Sequence, residues 1–219
     1  MNLTDALLPA HFQWVWLVFA LVLGSIVWMA PWRMLSKPGI LNLLLGACVL
    51  VLFYWQVKAG IRPGLNLHLL GATLLTLLFG PWFALLAIML VLLLTTVWDG
   101  AWYAFAINYL LIGVVPVSVS WLIYRLADSR LPNNLFVYVF INAFIGAAVA
   151  MVATGLAITL VLSAIGAYRW DDLVHTYLPY FLLMGWSEAV TTGMMMTLMV
   201  VYKPHWVATF DDKHYIDNR

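Results

Sequence analysis

Two ionisable residues stand inside apolar runs where a charge is hard to keep, His68 within residues 63–98 and Glu188 within residues 173–202. In a hydrocarbon layer such groups are costly, so each needs a partner, water or an ion, and each is a functional candidate by default. His68 can serve as a hydrogen-bonded structural residue or as a nitrogen ligand. Glu188 can accept a hydrogen bond from a neighbouring helix or act as a working carboxylate. Thioether ligation of Cu(I) is also conceivable at Met194, Met195, Met196 and Met199. Consecutive residues point to different faces of a helix, however, so these methionines read as packing or lipid-facing groups. Bond-making chemistry lacks its parts. The sequence has no His-Glu-x-x-His pair and no phosphate-binding loop, and Gly185-Trp186-Ser187 has no later intramembrane histidine to act as base. Enzymatic catalysis is therefore not expected, and Cys48, the single cysteine, cannot form an internal disulfide.

The elements that position these groups are membrane spans. Of 219 residues, 65% are hydrophobic and 9% charged, against roughly a quarter charged in an average soluble domain. So little polar surface cannot cover a water-soluble globule, and most of the outside must face lipid. A net charge of +1 with no basic stripe also removes the driving force for nucleic-acid binding. Taking about 20 residues per span, residues 11–32, 38–57, 100–124 and 173–202 each form one crossing. Residues 63–98 are too many for one helix, and Gly80-Pro81 divides them into halves just long enough to cross as a tight helical hairpin. Residues 131–168 read as two short helices or as one long tilted one starting near Asn133 or Asn134.

Basic residues choose between the two counts. With seven spans and an outside N-terminus, Arg33, Lys37, Arg125, Arg130, Lys203, Lys213 and Arg219 are cytoplasmic while Lys58, Arg62 and Arg169 are outside; eight spans would split them five against five. The expected fold is an all-α polytopic protein of the plasma (inner) membrane. It has seven transmembrane helices in one domain over 1–219, an outside N-terminus and a cytoplasmic tail at 203–219. Trp14, Trp28, Trp32, Trp55, Trp82, Trp98, Trp102 and Trp206 fall near span ends, as interfacial anchors do, and Trp186 is the exception. No cleavable signal peptide is expected, since the residues before the first span hold Asp5 and no Lys or Arg. On this topology the segment 1–10, His11, His68, Asp99, Asn108, Asp171, Asp172 and His175 all fall in the outer half, and only Glu188 lies deep. Such clustering points to a site that opens outward, although His11, Asp171, Asp172 and His175 also read simply as interfacial polar residues.

His68-Leu69-Leu70-Gly71 followed by Leu78-Phe79-Gly80-Pro81-Trp82 resembles a signature of the CbiM/NikM-type substrate-specific membrane component of cobalt and nickel energy-coupling-factor transporters. That family carries His-Pro-Thr-Gly and Leu-Phe-Gly-Pro-Trp at the same spacing. The resemblance extends to the start, Met1-Asn2-Leu3-Thr4-Asp5-Ala6-Leu7-Leu8-Pro9, to Ala106 and Asn108, and to Glu188 in the last span. It implies that the segment 1–10 folds into the outer mouth of the bundle, where the Met1 amine, residue 2 and His68 bind the metal. Asn2 stands where the family has histidine, Asp99 where it often has one, Asp5 replaces Glu and Ala189 replaces Gly.

The expected metal site is therefore Met1, Asn2, His68 and Asp99, with Asp5, His11, Asn108 and Glu188 as further candidates. The segment before the first span is short, apolar at Leu7 and Leu8, and charged only at Asp5 and the amine, which lets it insert. A neutral imidazole and an unprotonated amine suit nickel or cobalt, or else zinc or copper, whereas magnesium wants an oxygen cage. The ion would be transported cargo, and no permanently bound cofactor is expected. The resemblance also implies partners, a transmembrane coupling subunit and cytoplasmic ATPase subunits, because the chain has no nucleotide site of its own. The alternative is a non-transporting membrane assembly subunit that kept the fold and lost metal binding.

Overall fold

Helices form where the apolar runs meet local start and stop signals, and the computed structural model, which describes residues 1–62 and 65–215, follows most of those runs. Helix α1 is Trp14–Met29, stopped ahead of Pro31, and α2 is Ile40–Gln56. Strands β1 (Ala59–Arg62) and β2 (Leu65–Leu67) lead into α3 (Ala72–Asp99). Then come α4 (Phe105–Arg130), α5 (Leu135–Ala164), the short α6 (Trp170–Thr176) and α7 (Leu178–Tyr202). Three of these, α3, α4 and α5, are long and apolar enough to cross a membrane by themselves, while α1 and α2 are shorter apolar rods. Counting the two arms of α3 separately, and leaving out the seven-residue α6, the described residues make seven principal rods, the number expected from the basic residues.

Helix α5 runs unbroken through Thr154 and Gly155, so residues 131–168 hold one long helix. Asn134 starts it by accepting the Val137 N–H at 2.8 Å, which satisfies one of the free donors of a helix start. At 1.5 Å per residue its 30 residues extend about 45 Å, so the helix must tilt or protrude from a ~30 Å hydrocarbon core.

The stretch 63–98 departs from the expected pair of equal crossing helices. Only residues 72–79 are helical before the break, an arm of about 12 Å, and two antiparallel strands pairing Ala59 with Leu67 precede it. This short hairpin is an addition to the expected helices, and the described residues are otherwise mostly helical. The paired strands satisfy backbone groups of one another. Gly80 makes the break with φ 79° and ψ 169°, a conformation open to glycine and strained for other residues. The Trp55 expectation is also corrected. Trp28 and Trp98 are 86% and 88% exposed, as interfacial anchors should be, but Trp55 is fully buried because its indole packs inward against the chain after β2.

The Gly80-Pro81 break frees carbonyls that a continuous helix would use, since Pro81 has no N–H to return to Leu77. The chain after α7 replaces it. Ala208 N–H donates to the Leu78 carbonyl at 2.9 Å, and both the N–H and the hydroxyl of Thr209 donate to the Leu77 carbonyl, at 3.4 and 2.7 Å. The Tyr138 hydroxyl donates to Thr209 Oγ1 at 2.6 Å, and Phe210 and Tyr215 stack over it with ring centroids 5.2 Å apart. Substituting Thr209→Val keeps the volume but orphans the buried Tyr138 hydroxyl. It is expected to cost about 1–3 kcal/mol, measured as a lowered unfolding midpoint in detergent. An unchanged midpoint would mean that the segment adds nothing to the bundle.

Candidate metal centre

The first nine residues lie against the bundle because short polar side chains grip their backbone. Asn108 in α4 accepts the Leu3 N–H at 2.7 Å and returns its own amide N–H to the Leu3 carbonyl at 2.9 Å. Asp5 accepts the Ala104 N–H at 2.8 Å, and the Tyr103 hydroxyl donates to the Pro9 carbonyl at 3.0 Å. Leu7 and Leu8 pack on the core, and Met1 and Leu3 are 1% exposed. The Met1 amine donates to the Asn66 carbonyl on β2. Its burial, with the Lys58 charge acting in the same direction, pushes the amine down to about 4, so at neutral pH it is uncharged and offers a lone pair.

His68 sits in the loop between β2 and α3, ahead of the first helical turn and 1% exposed. Its Nδ1 faces the Leu69 carbonyl at 3.0 Å. A carbonyl only accepts, so Nδ1 carries the proton and Nε2 keeps a lone pair, an orientation common to metal-ligating histidines. Nε2 faces Asn2 Oδ1 at 3.4 Å.

Three groups fix the loop beneath it. Glu188 in α7 accepts the Leu70 and Gly71 N–H groups, one on each carboxylate oxygen, at 2.8 and 2.7 Å. Trp55 donates its indole N–H to the Leu70 carbonyl at 3.2 Å and lies 4.8 Å from the His68 ring. Gly71 has φ 69°, and an added Cβ would come within 2.8 Å of Val51 Cγ2, so neither the backbone angle nor the space admits another residue without strain.

These elements enclose a cavity of about 150 Å³ lined by Met1, Asn2, Asn66, His68, Asp99 and Lys58, among others. The cavity is large enough for a cation and a few waters, each of which takes ≈ 30 Å³. Met1, Asn2, His68 and Asp99 are thus brought together. Asp5 and Asn108 instead hold the N-terminal segment, and Glu188 holds the loop. The side chain of His11 lies outside the described residues. Asp171 pairs loosely with Arg169 at 3.7 Å in an exposed position.

Among the described residues no three His, Cys, Asp or Glu side chains gather as a metal cluster. A metal here would draw on the amine, the imidazole, one carboxylate and amide or carbonyl oxygens. Two lining groups escaped the sequence reading. Asn66 acts through its backbone carbonyl, which leaves no residue-type signal, and Lys58 reads from sequence only as a charge ending a span. Larger cavities of about 850 and 520 Å³ elsewhere in the bundle are lined mostly by apolar residues and hold no ligand set.

Residues 2–206 match the family described as the cobalt uptake substrate-specific transmembrane region, CbiM. Over 144 residues the chain is 35% identical to the probable fused nickel transport protein LarMN of Lactiplantibacillus plantarum, a match covering 60% of this chain and 43% of that protein. The chain therefore matches less than half the length of that curated relative. Two crystal structures share the fold with a TM-score of 0.76 each. One, a truncated transition metal transporter, is 21% identical and is matched over 92% of this chain and 99% of its own. The other, a transition metal transporter, is 20% identical over 91% and 92%. Together with the apolar helices, the match over nearly the whole chain makes this a multi-pass membrane protein belonging to the CbiM family of cobalt uptake substrate-specific transmembrane components.

Proposed function

We propose that the chain captures a transition-metal cation, nickel or cobalt, at the outer face of the plasma (inner) membrane and passes it inward as the substrate-binding component of an energy-coupling-factor-type transporter. The 1–219 chain acts as one integral domain with its N-terminus outside and its C-terminus cytoplasmic. Met1, Asn2, His68 and Asp99 are the groups that meet the ion, and the ion is cargo. Energy comes from cytoplasmic ATPase subunits through a transmembrane coupling subunit, because this chain carries no nucleotide motif. The single observation that carries the reading is that the Met1 amine and His68, far apart in sequence, line the same polar cavity, with His68 Nδ1 engaged by the Leu69 carbonyl so that Nε2 keeps its lone pair.

A second reading is favoured by the absence of a three-residue His, Cys, Asp or Glu cluster among the described residues. On that reading the chain is an assembly subunit that kept the fold without the ligands. Elemental analysis separates the two. Untagged protein purified without chelator and given excess nickel or cobalt should hold close to one ion per chain, and protein that holds none belongs to the second reading.

The position opposite His68 offers a sharper check. Asn2→His places a second imidazole where Asn2 Oδ1 now faces Nε2, and nitrogen is the better donor for nickel. It is expected to tighten nickel binding by roughly tenfold or more, as read by calorimetric titration. Unchanged or weaker binding would mean that residue 2 does not reach the ion.

A further inference from the structure

Asp99 shares the cavity with the amine and His68, yet its carboxylate already has a cation. Lys58, two residues past the end of α2, places Nζ 3.0 Å from Asp99 Oδ2 at the end of α3. Both side chains line the cavity, and both are part exposed, at 24% and 38%. A lysine stem has four flexible carbons and an ammonium that water solvates strongly, so this arm can swing into solvent at little cost.

We infer that Lys58 is a tethered cation that occupies Asp99 when no metal is bound and is expelled when a divalent ion enters, which makes it a determinant of affinity for the transported ion. The inference rests on the reading of this cavity as the metal site. Without metal, the Lys58 ammonium and the Asp99 carboxylate line the cavity as one charge of each sign, paired at 3.0 Å. A divalent ion brings two positive charges within a few ångströms of a third, and repulsion at that range is strong away from bulk water. If the ammonium leaves as the metal enters, the pocket gains one charge instead of two. A monovalent ion would only exchange one positive charge for another and gains nothing over Lys58. The competition also keeps binding moderate, which a carrier needs in order to release its ion.

Two measurements on the untagged full chain test this. In calorimetric titration with nickel chloride at fixed ionic strength, Lys58→Gln is expected to bind about tenfold tighter than wild type. The unfolding midpoint of the metal-free protein should barely move, because a part-exposed ion pair contributes little to stability. In wild-type protein, saturating nickel is expected to speed acylation of Lys58 by an acetyl-N-hydroxysuccinimide ester several-fold, as read by mass spectrometry. If Lys58→Gln binds nickel no tighter while wild type binds it well, or if nickel leaves Lys58 acylation unchanged, the tethered-cation role is overturned and the capture reading stands. If neither protein binds nickel, both are overturned.

Discussion

Substituting His68→Ala is expected to abolish retention of nickel and cobalt while the helices stay folded. Among the described residues His68 is the only ring nitrogen lining the cavity, and its Nδ1 bond to the Leu69 carbonyl turns the Nε2 lone pair toward Asn2. What remains is an amine, amide oxygens and a carboxylate already engaged by Lys58, a set too weak to replace the imidazole. A loss on the order of a hundredfold or more in affinity should follow. The fold should survive because Glu188 and Trp55 hold the loop through backbone groups that the substitution does not touch. An N-terminal tag should have the same effect by a different route. It turns the amine into an amide and pushes extra residues into a cavity of about 150 Å³. Metal content per chain by elemental analysis, with circular dichroism as the fold control, decides the matter. Stoichiometric nickel on His68→Ala protein would move the site elsewhere.

Glu188→Leu should cost both stability and metal, although Glu188 does not line the cavity. Its carboxylate is the acceptor for two buried N–H groups, those of Leu70 and Gly71, and orphaning a buried donor costs about 1–3 kcal/mol apiece. The released loop carries His68, so the imidazole loses its aim at the same time. Glu188→Gln is expected to fall between, since its amide keeps one acceptor oxygen but turns an N–H₂ toward the other donor. Thermal unfolding and nickel titration of the three proteins should rank wild type, Gln, Leu in both measurements. A Glu188→Leu protein with full nickel affinity would show that the loop is held by other means.

Much of the membrane architecture is legible in the residue order, and the reason is that lipid imposes local rules. A long run without charge must form a helix that satisfies its own backbone. This is why α1, α2, α5 and α7 fall within the expected stretches, and why the start of α5 can be placed near Asn133 or Asn134, of which the structure uses Asn134. Pro81 after Gly80 marks a break for an equally local reason, the missing N–H. The sequence does not show how much of residues 63–79 is helical. Nothing local distinguishes an eight-residue arm behind a strand pair from a full crossing, because both are apolar and uncharged.

The site divides along the same line. His68 and Glu188 stand out from composition alone, since an ionisable residue in an apolar run is rare and costly. Their different roles are a matter of tertiary structure. A carboxylate reads the same from sequence whether it faces a cavity or accepts two backbone N–H groups from a loop more than a hundred residues earlier. The placement of Asp5 and Asn108 as holders of the N-terminal segment, and of Lys58 on Asp99, likewise depends on contacts between residues 41 to 105 positions apart. Residue type determined which groups could bind a cation, but only the packing of α2, α3, α4 and α7 around the N-terminal segment decided which of them face one cavity, because that choice rests on long-range hydrogen bonds with no local sequence signature.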